Sequence, residues 1–199
     1  MKPFQRCLQQ PAAIQRGASL IMVLLILVVV SLLGVGGAQM ALMSERGARN
    51  DRDMQVAWQA ADAALVDAAF DMLSSTTPAR KAVFDGKSSD KFVVGCGNSG
   101  VSLGLCEKNS ATKPAWLTVD FTDASSSALT TPFGQFTGRT FAAGGVGIQP
   151  AQVPRYMVEL VPDPVRDLTK PPTWIYRVTA MGFGPRTDIQ AVLQMIYRI

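Results

Sequence analysis

Few side chains in this chain could do chemistry, and the absences are informative. No histidine occurs anywhere, which removes Ser-His-Asp and Cys-His nucleophilic catalysis and the commonest ligand of transition metals. Gly95-Cys96-Gly97-Asn98-Ser99-Gly100 spells G-x-G-x-x-G after Phe92-Val93-Val94, with Asp120 downstream. A dinucleotide site needs a helix opening at the third glycine, and Val101-Ser102-Leu103-Gly104-Leu105 is too short and too broken by glycine to supply one. A glycine-rich loop is the better description. Asp85 with Asp90, and Asp120 with Asp123, could offer oxygens to calcium, yet neither pair sits in a recognisable ligand loop and both read as solvated surface carboxylates. The sequence thus points to a protein that is not an enzyme and needs no cofactor or metal.

The element that organises everything else is at the amino terminus. Lys2, Arg6 and Arg16 mark a short basic leader, after which no charged residue occurs from Gly17 to Ser44. A helix rises about 1.5 Å per residue and the hydrocarbon core of a bilayer is about 30 Å thick, so the run Leu20 to Leu33 with its flanks is long enough to cross. Glu45, Arg46, Arg49, Asp51, Arg52 and Asp53 follow with mixed sign. The positive-inside bias therefore keeps the amino terminus in the cytoplasm and exports the rest in a single pass. Without the leader, 16 basic residues face 15 acidic ones, and a nucleic-acid partner loses its electrostatic support. Cys7 lies in the leader, leaving Cys96 and Cys106 as an even pair in an oxidising compartment, which reads as a disulfide.

Beyond the span, Met54, Trp58, Ala61, Leu65, Ala68 and Met72 recur at intervals of four and three and predict one buried helical face, with Asp67 and Asp71 pointing away from it. The helix is expected to run unbroken to about Leu73, where Ser74 to Pro78 stops it. Gly34, Gly36 and Gly37 are either a close-packing surface or a hinge. Three runs near the end, Tyr156–Val161, Trp174–Met181 and Ile189–Tyr197, are rich in β-branched and aromatic residues and predict an antiparallel meander. Its apolar face needs a cover, and Trp58, Ala61, Leu65 and Met72 are the expected helix-to-sheet contacts. Ala115–Phe121 is a further strand candidate. Thr122–Gln149 reads as a surface loop whose Phe133, Phe136 and Phe141 must pack on something.

Gln15-Arg16-Gly17-Ala18-Ser19-Leu20-Ile21 and the apolar run resemble the class III signal of type IV prepilins, and Gln55 to Leu65 resembles the helix of the PilX group of minor pilins. Tyr176–Ala180 and Val192–Gln194 are similar to that group's last strands, so the likeness covers residues 15–73 and 155–199 and not the middle. It implies an α+β pilin-like fold: a leader at 1–17, a membrane or filament-core half-helix at 18–44, an amphipathic half-helix at 45–75 and a head domain at 76–199. It also implies cleavage between Gly17 and Ala18 by a prepilin peptidase, N-methylation of Ala18, and assembly with other minor pilins and the major pilin into a type IV pilus. Two positions depart from the common pattern. Ala18 stands where many pilins have phenylalanine or methionine, and Met22 occupies the fifth mature position, where glutamate is usual. The second departure suggests a specialised subunit at the pilus tip that primes assembly. Alternatives are a type II secretion minor pseudopilin, a membrane-anchored periplasmic binding domain, an uncleaved signal anchor, and an ordinary secretory signal cut near Gly36-Gly37-Ala38.

Overall fold

The computed structural model describes residues 18–108, 113–164, 169 and 173–198. The leader, Arg16 and Gly17 lie outside the described residues. Helix α1, Ala18–Ser74, is one continuous element of 57 residues that includes Gly34, Gly36 and Gly37. It ends where expected because Thr77 precedes a proline and takes an extended backbone, and Pro78 then opens the short helix α2, Pro78–Lys81. Thr76 N–H donates to Phe136 O at 2.8 Å, tying the exit of α1 to a distant loop. The chain divides into two compact units, one ending at Ala48 and the other Arg49–Ile199.

The second unit carries six strands: β1 Val93–Val94, β2 Leu105–Glu107, β3 Thr131–Pro132, β4 Arg155–Pro162, β5 Trp174–Phe183 and β6 Gln190–Tyr197. Their order is β1-β2-β4-β5-β6, with β3 also paired to β4. The β4-β5-β6 meander is antiparallel, as expected, but β1-β2 and β2-β4 are parallel, so the sheet is mixed and not purely antiparallel. A parallel neighbour needs a crossover of a dozen residues or more, and the long stretch between Glu107 and Arg155 provides it. Because β4 is covered on both faces, residues 155–160 are all buried.

Helix α1 lies on one face of this sheet through its small residues. Ala57, Ala60, Ala61, Ala64 and Ala68 are almost wholly buried, and a Cβ added to Gly182 of β5 would collide with the backbone of Ala57, Ala60 and Ala61. That close approach rotates the buried face from the expected one. Ala61, Leu65, Ala68 and Met72 are buried, but Trp58 stands 55% exposed and Met54 is also exposed. Trp58 is too bulky for a face where two backbones nearly touch. Asp67 and Asp71, expected to point outward, are both fully buried. The main core joins Leu65, Ala68 and Met72 to Tyr156, Val158 and Leu160 of β4 and to Tyr176 and Val178 of β5.

The opposite face is smaller: Cys96, Cys106, Ala115, Phe121 and Met157 form its core. Ala115–Phe121, expected as a strand, instead begins with a 3-10 turn at Ala115–Leu117. Its start is fixed by Glu159, which is fully buried on β4 and accepts Ala115 N–H at 2.9 Å and Arg177 Nε at 2.8 Å. The segment Thr122–Gln149 is not simply a surface loop. Thr130 and Thr131 are fully buried, β3 lies within it, and Phe133 and Phe136 are buried.

Candidate functional site

The apolar half of α1 is the first candidate surface. Every large apolar side chain from Leu20 to Met43 is exposed, Met22 at 71% among them. A helix satisfies its own backbone bonds, so such a segment is stable only in lipid or against other apolar helices. Ser31, in mid-span, returns its hydroxyl to Leu27 O at 2.7 Å and leaves no polar demand on the surroundings. Around Gly34, Gly36 and Gly37 a Cβ would meet nothing within 4 Å, so bare backbone is presented there to any approaching helix.

The second candidate is the clamp at the far end of α1. Asp71 receives Arg80 through Nε at 3.0 Å and Nη2 at 2.8 Å, and both side chains are fully buried. Tyr156 Oη donates to the same carboxylate at 3.0 Å, and burial together with the negative charge of Asp71 holds the Tyr156 phenol well above its ordinary pKa. Arg80 Nη1 then donates to Val101 O at 2.6 Å and Leu103 O at 3.0 Å, inside the loop closed by the Cys96–Cys106 disulfide. Its guanidinium also sits 4.1 Å from the Phe136 ring centroid. One turn earlier, Asp67 accepts Gly134 N–H at 2.7 Å and Thr137 Oγ1 at 2.6 Å, with Arg139 at 3.6 Å. These two aspartates, one helical turn apart, lock α1 to the disulfide loop and to the 133–139 loop. The sequence signal was available: acids at i and i+4 on an otherwise alanine-rich helix, with an arginine just beyond the Pro78 stop.

The remaining motifs resolve into turns. Gly95, Cys96 and Gly100 take positive φ, and Gly100–Ser102 is a single 3-10 turn, so no helix N-terminus faces the glycine loop. Asp85 accepts the N–H groups of Lys87 and Ser88, Asp120 that of Thr122, and Asp123 that of Ser125. These bonds hold all three carboxyls below their ordinary range, led by Ser88 N–H at Asp85, the Thr122 hydroxyl at Asp120 and Ser125 N–H at Asp123.

Residues 16–66 match the family model PilX N-terminal, and residues 102–199 match the C-terminal model of the type IV pilus assembly protein PilX. The chain belongs to the PilX family. No curated protein and no solved structure gives a match. The first match runs from Arg16 through the apolar run to Val66, and the second includes residues 102–154, which the sequence resemblance had left out. This PilX chain is accordingly a minor pilin of type IV pilus assembly, a structural protein that works with other pilus components, and its exposed apolar helix suits it to membrane anchoring.

Proposed function

We propose that this PilX protein is made as a class III precursor, cut between Gly17 and Ala18 by a prepilin peptidase and methylated at Ala18. It is held in the inner membrane with its amino terminus in the cytoplasm and its head in the periplasm. It then joins other minor pilins to prime a type IV pilus and remains at the tip.

The observation that carries this reading is Met22. It stands exposed on α1 in a stretch without any charge. A charge inside the apolar span costs about 2.5–3.5 kcal/mol at its centre on insertion scales and less toward its ends, so a subunit with a carboxylate at this position still gains from a compensating partner, such as the terminal amine of the subunit ahead. Met22 needs none. A subunit with nothing ahead of it can enter first, which suits the start of a filament, and Gly34, Gly36 and Gly37 suit close packing of helices behind it. Immunogold labelling of sheared pili is expected to find the protein at filament ends, and deletion to reduce the number of pili more than their length. Uniform labelling along the shaft would overturn the tip position.

A further inference from the structure

Arg155, the first residue of β4, is only 8% exposed. Its Nε donates to Thr130 Oγ1 at 2.6 Å and its Nη2 to Thr130 O at 2.7 Å. Both acceptors are neutral. Arg80, fully buried, and Arg177, partly buried, each pair with a fully buried carboxylate, Asp71 and Glu159. Among the described residues Arg155 has no such partner. The carboxylate it senses is Asp123, which lies beyond ion-pair reach and is already engaged by Ser125 N–H. Desolvation lowers the Arg155 pKa, the mark of a cation held from water without full compensation.

Arg155 also lines a hollow of about 440 Å³ walled by Pro132, Phe133, Ala143, Ala151 and Val153. A second hollow of about 200 Å³, lined by Asn98, Ser126 and Gln135, shares Ala124, Pro132 and Arg155 with the first. Gly144, in the lining of the larger one, donates its N–H to Pro150 O at 2.8 Å and closes a loop that carries Val146, fully exposed, and Ile148, 56% exposed. A cation without an ion pair and apolar side chains in one lining together define the ligand: a carboxylate with apolar neighbours. The exposed Val146 and Ile148 extend the apolar area beyond what a small acid would cover.

We propose that this hollow is a docking pocket for an aspartate or glutamate side chain flanked by apolar residues on a neighbouring pilus protein, an occupant that rests on the pilus reading. The carboxylate takes the Nη1 face of Arg155 and the flanking side chains lie on Val153, Phe133 and the 144–150 loop.

The test uses the full chain in detergent micelles with two probes, N-acetyl-Leu-Glu-Leu-amide and N-acetyl-Leu-Gln-Leu-amide, followed by NMR of the Arg155 Nε–H and the Val146 and Val153 methyls. The glutamate peptide is expected to give saturable shifts there, and the glutamine peptide to bind at least tenfold more weakly. Ala124→Glu, at an exposed position on the shared wall, supplies an internal carboxylate and is expected to abolish peptide binding, whereas Ala124→Gln retains it. In cells, Ala124→Glu is expected to lower surface pili while processing and membrane level stay normal. Equal binding of the two peptides, no binding of either, or identical behaviour of the two Ala124 variants would overturn the pocket. Free glutamate competing as well as the peptide, or undiminished pili in the Ala124→Glu strain, would overturn the protein partner. None of the peptide readouts depends on where gold labelling places the protein, so the pocket and the tip position fail separately.

Discussion

Arg80→Met should be among the most damaging single changes in the head. The guanidinium makes its two short bonds to Asp71 and two more to the carbonyls of Val101 and Leu103, all with no access to water at either charged side chain. Its removal leaves Asp71 buried with only the Tyr156 hydroxyl and strips two carbonyls of their donor. Breaking a buried pair from one side costs about 3–5 kcal/mol, because the charge left behind is uncompensated. For a unit the size of Arg49–Ile199, about 2–4 °C of melting temperature is lost per kcal/mol, so a fall of about 6–20 °C is expected. The assay is thermal unfolding of the full chain in detergent, followed by near-ultraviolet circular dichroism, which reads the packing of the aromatic core around Tyr156 and Tyr176. Asp71→Leu/Arg80→Met removes both charges together and should recover more than half of the loss, since a buried ion pair replaced by apolar groups is often nearly neutral. A single variant that costs less than about 1 kcal/mol, or a double variant whose loss equals the sum of the two singles, would refute the clamp.

Three further outcomes follow from the same packing. Cys96→Ser/Cys106→Ser opens a loop of sequence separation 10 and is expected to cost about 2–3 kcal/mol in chemical denaturation; unchanged stability in the oxidised and reduced wild type would contradict it. Gly182→Ala puts a methyl group against the backbone of Ala57 and Ala61, and overpacking at backbone should cost about 1–3 kcal/mol or more by the same measurement. Tyr156, whose folded pKa is raised, favours the folded state fully below its unfolded value near 10 and loses that contribution as pH rises past it, because the unfolded chain gives up the proton first. Tyr156→Phe strips buried Asp71 of a donor and should be less stable than wild type at pH 7, and the loss of the titrating phenol should give it a shallower alkaline decline; parallel pH–stability curves for the two proteins would refute the shift.

The parts of the fold that were legible in the sequence are those fixed by local pattern. The continuity of α1 and its end at Ser74 were legible, since nothing before Ser74 to Pro78 interrupts a helix. β4, β5 and β6 fall where β-branched and aromatic residues concentrate. What local pattern could not supply was the partner across the gap. The buried face of α1 is set by Gly182, more than a hundred residues away, which admits alanines and turns Trp58 outward. Asp67 and Asp71 read as solvent-facing because acids on a helix usually are, and only Gly134, Thr137, Arg80 and Tyr156 make their burial affordable. The parallel edge likewise depends on a crossover whose ends carry no local signal. At the candidate sites, Met22 and the Cys96–Cys106 pair were legible as residue types, whereas the Arg155 hollow needs Thr130, Phe133 and Ala151 to be brought together by the fold.

The central claim is that this PilX chain is a processed pilin subunit with its apolar helix at the mature amino terminus. The most direct measurement is the amino-terminal residue and intact mass of the protein purified from membranes and from sheared pili. A chain beginning at Ala18, with two hydrogens fewer than the fully reduced form and an added methyl group on Ala18, is the predicted result. A mature chain beginning at Gln39, after a cut at Gly36-Gly37-Ala38, would contradict it, since the half-helix that anchors and assembles the subunit would be gone.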